Sequence, residues 1–171
     1  MKKFAILFAG LFLMTFAFQS VNAQGPATGV AETSATIIAP IAITKQKDLN
    51  FGNIAALTTA QQVTVTPAGD RNSTEPQGLP NATPGTITAA SFTVTGLENA
   101  TYSIELPTTL EVTSDGNTML VNNFTSTPTP TGTLTGGTQT LNVGATINVD
   151  ANQAAGEYTN TSDLTVTVAY N

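Results

Sequence analysis

Along most of this chain apolar and hydroxyl side chains take turns. Val63-Thr64-Val65-Thr66, Phe92-Thr93-Val94-Thr95 and Leu164-Thr165-Val166-Thr167-Val168 alternate without a break. Successive side chains of a strand point to opposite faces, so each run sends one row into a core and one row into water. The pattern predicts half-buried antiparallel strands, wet on one side. Leu49-Asn50-Phe51, Tyr102-Ser103-Ile104-Glu105-Leu106, Leu141-Asn142-Val143 and Ile147-Asn148-Val149 read the same way. Ile37, Ala39, Ile41 and Ile43 also alternate, which predicts a first strand over Ala35–Thr44. Beyond residue 23 no window of helical length carries apolar positions at three-and-four spacing. Thr, Val, Asn and Gly all disfavour helix, so almost none is expected.

Turn signals punctuate the strands at short intervals: Gly52-Asn53, Pro67-Ala68-Gly69-Asp70, Ser114-Asp115-Gly116-Asn117, Gly136-Gly137 and Ala155-Gly156. Many short strands in so few residues predict an all-β fold, a single antiparallel β-sandwich with Greek-key connections. Pro67–Gly85 is rich in Pro, Asn, Gly and Ser and reads as a long surface loop. Thr125–Gly132 alternates Pro with Thr and reads as an extended connection, because Pro cannot donate to a ladder.

The N-terminus obeys another rule. Lys2 and Lys3 precede an apolar run from Phe4 to Phe18, and Val21-Asn22-Ala23 offers the small residues that a signal peptidase reads. The run is shorter than the ~20 apolar residues of a spanning helix. Residues 1–23 are therefore expected to be a cleavable signal peptide, residues 24–34 a flexible N-terminal segment, and residues 35–171 the β-sandwich domain. The expected destination is outside the cell or on its surface, with the periplasm as the nearer stop.

Composition then narrows the chemistry. The chain has no Cys, His or Trp. That excludes a disulfide, a zinc finger and nucleophile relays built on Cys or His. After residue 23 three basic residues face eleven acidic ones, a formal charge of −8. Nucleic-acid binding rests on cations that neutralise phosphates, so it is excluded as well. Leu, Ile, Val and Phe make up 31 of the remaining 148 positions, close to the ~20% below which charged chains stay unfolded. Folding must therefore rest on the alternating pattern, to which many of the 32 Thr residues beyond residue 23 contribute.

Two ends of the chain carry a family likeness. Ala35–Thr44 leads into Asp48-Leu49-Asn50-Phe51-Gly52-Asn53-Ile54; near the other terminus Asn152–Tyr158 precedes the alternating finish Leu164–Asn171. Together these resemble the secreted family known as domain of unknown function 4402. More distantly, Leu49–Gly52, Gly156 with Tyr158, and Leu164–Tyr170 are similar to pilin subunits of the spore coat U type. That resemblance implies an immunoglobulin-like, pilin-like sandwich lacking one strand, a periplasmic chaperone and an outer-membrane usher as partners, and completion in the fibre by an N-terminal strand of the next subunit. Here Gln24–Ser34 holds only Val30 as a large apolar residue, and the alternating isoleucines read as the domain's own first strand.

No catalytic, cofactor-binding or metal-ligating residue is assigned. Asp115-Gly116-Asn117 and Asp150-Ala151-Asn152 have oxygen ligands at short spacing, but Asx beside small residues is foremost a turn former. Glu98, Glu105, Glu111 and Glu157 are the carboxylates from which a glycosidase pair would have to come. Gly52 reads as a bend, Tyr102 as core, and Tyr158 as a corner in which a hydroxyl bonds back to the backbone. Asn72, Asn81, Asn99, Asn123 and Asn160 open Asn-x-Ser/Thr triplets. The expected function is a secreted or cell-surface structural and adhesive module, not an enzyme; the alternative is an extracellular glycan- or ligand-binding module. Its expected partner is itself or another surface protein, met through a sheet edge, with uncharged Leu164–Tyr170 the first candidate.

Overall fold

The computed structural model describes residues 25–160 and 164–171; the predicted signal peptide lies outside the described residues. The chain divides into a compact unit, Ile37–Asn171, and a leading unit that ends at Thr36. Of the leading unit residues 25–36 are described, and all are exposed with no strand or helix. Among the described residues the fold is all-β and antiparallel, with two single-turn 3-10 segments and no α-helix.

Its twelve strands are β1 (Ala42–Lys47), β2 (Asn50–Phe51), β3 (Gln61–Val65), β4 (Arg71–Ser73), β5 (Ile87–Thr88), β6 (Ala90–Thr95), β7 (Thr101–Glu105), β8 (Thr109–Ser114), β9 (Asn117–Thr127), β10 (Thr131–Thr133), β11 (Thr138–Val149) and β12 (Thr167–Tyr170). Seven of them, β1, β3, β4, β6, β8, β9 and β11, form one sheet that curls into a half-barrel. A second sheet has the order β10-β7-β12, and β2 pairs with β5 in a third.

Strand β11 organises the large sheet. Its first half, Thr138–Val143, pairs with β6, and its second half, Ala145–Val149, pairs with β3. Asn142–Asn148 pairs with β9 at the same time, so β6 and β3 succeed one another along one edge and β9 takes the other. The row Leu141, Val143, Ala145, Ile147 and Val149 points to one face, and all five are buried. The first two join Ala90, Phe92, Val94, Tyr102 and Leu134 in a core shared with the three-stranded sheet. The last three join Val63 and Val121.

The alternating runs Leu141–Val143 and Ile147–Val149 lie in one strand, which Gly144 continues. A Cβ there would stand 2.2 Å from Val65 O, so the missing side chain lets the end of β3 pass close by. Opposite it β9 bulges: Thr125 faces Gly144 and Asn122 faces Thr146, which leaves two residues of β9 against Ala145. Asn123, one of the two, takes φ +50°.

Three expectations change. The first strand runs over Ala42–Lys47, and Ile37 and Ile38 stand 97% and 48% exposed in the segment before it. Pro40 lacks the N–H that would extend the ladder. The expected loop Pro67–Gly85 contains β4 and the 3-10 turn Pro76–Gly78, whose Gly78 is buried beneath the Gln61 amide. Thr125–Gly132 is mostly strand as well, since Thr125–Thr127 end β9 and β10 starts at Thr131. The last strand is shorter than the alternation predicts, though Leu164 and Val166 still pack on the core ahead of it. The Ser114–Asn117 signal gives a two-residue hairpin, with φ +46° at Asp115 and +81° at Gly116.

Truncating Leu141 to Ala, at the junction of β6 and β11, is expected to cost about 2–5 kcal/mol in denaturant unfolding. Tyr102 gives a second test. Its side chain is fully buried, its hydroxyl donates to Gln139 Oε1 at 3.0 Å, and burial pushes its titration above the ordinary tyrosine value. The folded chain thus holds this proton to higher pH than the unfolded one. The contribution is full below pH ~10 and fades as pH rises through the folded value. Urea unfolding at pH 9 and 11 is expected to show a smaller alkaline loss for Tyr102→Phe than for the wild type.

Candidate functional site

The residues weighed for chemistry lie apart. Glu98 sits in the turn before β7, Glu105 on β7, Glu111 on β8 and Glu157 in the stretch after β11; all four are exposed, and two different sheets carry the two strand residues. Asp115 and Asn117 close the β8–β9 hairpin, and Asn152 (φ +55°) turns the chain after β11. No group of three or more acidic side chains able to hold a metal ion forms among the described residues. Asn72, Asn81, Asn99 and Asn123 are exposed, while the Asn160 amide donates to Glu111 O.

Two of the singled-out residues do local work. Tyr158 Oη donates to Ala154 O at 2.8 Å and accepts from Gln153 Nε2, the predicted bond back to the upstream backbone. Gly52 takes φ +72°, and Asn50 Oδ1 accepts its N–H at 2.8 Å. What the sequence does not reveal is Arg71. From β4 its Nη1 donates to Phe51 O, Asn53 O and Pro84 O, at 2.9, 2.9 and 3.3 Å. One guanidinium thus gathers the Phe51-Gly52-Asn53 bend and the strap before β5. A Cβ on Gly52 would lie 2.4 Å from Pro84 O and 2.8 Å from that nitrogen.

The open chemistry of the molecule is at its edges. Thr113 exchanges both backbone hydrogen bonds with Thr159, so the outer side of β8 is partly covered. Strands β4 and β10 end their sheets but are three residues long. Among the described residues no strand pairs with the outer edge of β1 or of β12. These two edges belong to different sheets and share one core: Ile41 and Ile43 pack on it from one side, Leu164, Val166, Val168 and Tyr170 from the other.

A hollow of about 310 Å³ between them is lined by Lys45, Lys47, Asp48, Leu49, Ala90, Phe92 and Leu164. At the far end of the last segment Tyr170 Oη donates to Ala39 O at 2.9 Å and accepts from Leu97 N–H at 2.6 Å. Gly96 leaves room for that hydroxyl, since a Cβ would sit 2.2 Å from it. Register gives the directions: β1 starts opposite Thr95 and ends opposite Ser91, while the last segment runs from Leu164 near Phe92 to Tyr170 near Gly96. The two edges are antiparallel across the gap.

Hydrogen-bond parity shows what β12 offers. Asn171 N–H donates to Thr101 O, so Thr167, Ala169 and Asn171 direct their backbone groups at β7. Ile104 N–H donates to Pro130 O on the opposite side, which fits the same alternation. The N–H and C=O groups of Val168 and Tyr170 therefore face outward along the free edge. A second hollow, of about 300 Å³, is lined by Gln61, Gln62, Asn148 and Asp150, but its amides serve the fold: Gln61 Nε2 donates to Ala55 O, and Gln62 Nε2 to Asn148 Oδ1.

An all-β domain of antiparallel sheets, one of them curled into a half-barrel, is the class that the geometry defines. Residues 41–170 match the family described as Domain of unknown function (DUF4402), and the chain belongs to that family. No curated protein and no solved structure matches the chain.

Gly52→Ala is expected to lose at least ~1 kcal/mol in chemical denaturation, since the left-handed backbone and the carbonyl of Pro84 both oppose a side chain. Arg71→Met, which takes the guanidinium N–H from Phe51 O and Asn53 O and leaves Pro84 O with the Asn53 N–H alone, is expected to raise hydrogen exchange at Asn53.

Proposed function

We propose that this protein is an exported structural and adhesive module of the cell surface, an immunoglobulin-like, pilin-like subunit that joins its neighbours by accepting an extended strand. The observation that carries this reading is the hollow beside Leu164, whose floor is Phe92 and Ala90. Among the described residues no strand pairs with the edges of β1 and β12 that flank it. A strand laid there would satisfy the outward backbone groups of Val168 and Tyr170 and cover apolar surface in the same step.

Edge chemistry supports it further. Natural sheets guard open edges with Lys, shortness or covering segments. Strand β1 carries Lys45 and Lys47, β4 and β10 are short, and β8 is bridged by Thr159, whereas Thr167–Tyr170 has no charge. The segment before β1 supports it too: ending the first strand at Ala42 leaves Ile37 and Ile38 outside the sheet, so the isoleucines of one subunit are not all consumed by its own domain.

The test exploits parity. Val168→Pro removes an outward N–H and leaves the β7 ladder whole; Ala169→Pro removes one that faces β7. Val168→Pro is expected to abolish concentration-dependent association in sedimentation velocity while unfolding stays cooperative, and Ala169→Pro to lose at least ~1 kcal/mol more stability. Association that survives Val168→Pro unchanged would remove the free edge from this role.

A further inference from the structure

One side chain joins the two sheets at the end of their free edges. Tyr170 closes β12, and its hydroxyl reaches the other sheet, where it accepts from Leu97 N–H just past β6 and donates to Ala39 O just before β1. The two bonds act in series. A hydroxyl that accepts from an amide turns its own proton toward the carbonyl, and each bond polarises the other. What the hydroxyl holds has little else to hold it. Among the described residues no other hydrogen bond is made by residues 37–40. Pro40 cannot join the ladder of β1, and Ile37, Ile38 and Leu97 around the contact are all exposed, so apolar burial adds little. Its position matters because β1 starts at the Tyr170 end of the last segment, so residues 37–40 meet the domain where the free edge of β12 finishes. A strand that pairs with the outward groups of both Val168 and Tyr170 has to pass that point.

We infer that residues 37–40 form an autoinhibitory strap, clasped by the Tyr170 hydroxyl across the end of the β12 edge, and that its release opens the whole edge to a neighbouring subunit; this rests on the strand-accepting reading above. Clasped, the strap stops the edge at Tyr170, and a chain enters from the hollow beside Leu164. Released, it uncovers the backbone groups of Tyr170 and lets pairing run to the end of β12. A hydrogen bond reached by solvent suits a releasable contact, because water replaces it at small net cost.

The experiment uses full-length protein purified after export and takes two readings. Thermolysin, which cuts ahead of large apolar residues, reports release of the strap at Ile37 and Ile38, since cleavage tracks the population of the opened segment. Sedimentation velocity reports association. Tyr170→Phe keeps the ring on the core and removes the clasp. It is expected to raise cleavage about two- to tenfold and to strengthen association by a similar factor, and adding Val168→Pro is expected to abolish the gain in association. Gly96→Ala, whose Cβ would stand 2.2 Å from the hydroxyl, opens the clasp from the other side and is expected to act alike, with the double variant Gly96→Ala/Tyr170→Phe adding little. Unchanged cleavage in Tyr170→Phe, or faster cleavage with unchanged association, overturns the strap and leaves strand acceptance standing. Wild type and Tyr170→Phe both monomeric at every concentration overturns both.

Discussion

The fold depends on one strand being long enough to serve two cores. Strand β11 carries twelve residues, and its inward row never leaves the apolar interior. Each buried Val, Leu or Ile on that row contributes on the order of 1.5–3 kcal/mol relative to exposure. The two edges of β11 are taken by three partners, so its backbone groups are satisfied almost throughout. Gly144 keeps the strand continuous where a side chain would have met the end of β3, and the β9 bulge at Asn123 absorbs the resulting curvature. Without that passage the row would break into two short strands, and the two clusters would lose their common spine.

The scarcity of charge has a structural consequence. A chain with a single guanidinium in its folded part places it where three carbonyls converge, and thereby ties the Phe51–Asn53 bend to the strap before β5. One planar cation serves all three carbonyls, of which that of Phe51 is half-buried. The hydroxyls of Tyr158 and Tyr170 do comparable work at the ends of the last segment, each tied to a backbone carbonyl. Ends of sheets are where ladder bonds run out, so side chains supply the missing partners.

In the function proposed above, the sheet edges are the working surfaces. A β-sandwich that closes on itself buries its core and hides its ladders. Here the two sheets sharing the core leave a gap between β1 and the last segment, and the edge facing it from β12 carries nothing that repels another strand. The same absence of charge leaves the edge of Leu164–Tyr170 without a guard against pairing with another strand. On the edge of β1, by contrast, stand Lys45 and Lys47, charges of the kind that guard open strands.

Alternation of Thr with Val, Phe and Ile determined by itself that this chain forms half-wet antiparallel strands, because a period of two leaves no other regular way to bury the apolar row. It also determined Tyr102 as core, the Ser114–Asn117 hairpin and the corner at Tyr158, since each rests on residues close in sequence. It could not show that Gly144 lies under the end of β3, that Arg71 reaches Phe51, Asn53 and Pro84, or that Thr159 covers β8. Those contacts join residues far apart along the chain. Likewise the isoleucines at 37, 41 and 43 are one periodic row in the sequence, and only the ladder between β1 and β6, with Pro40 unable to extend it, divided them into a strand and a free segment. Local periodicity fixes which face of a strand is greasy; which edge stays unpaired is decided by what the rest of the chain brings beside it.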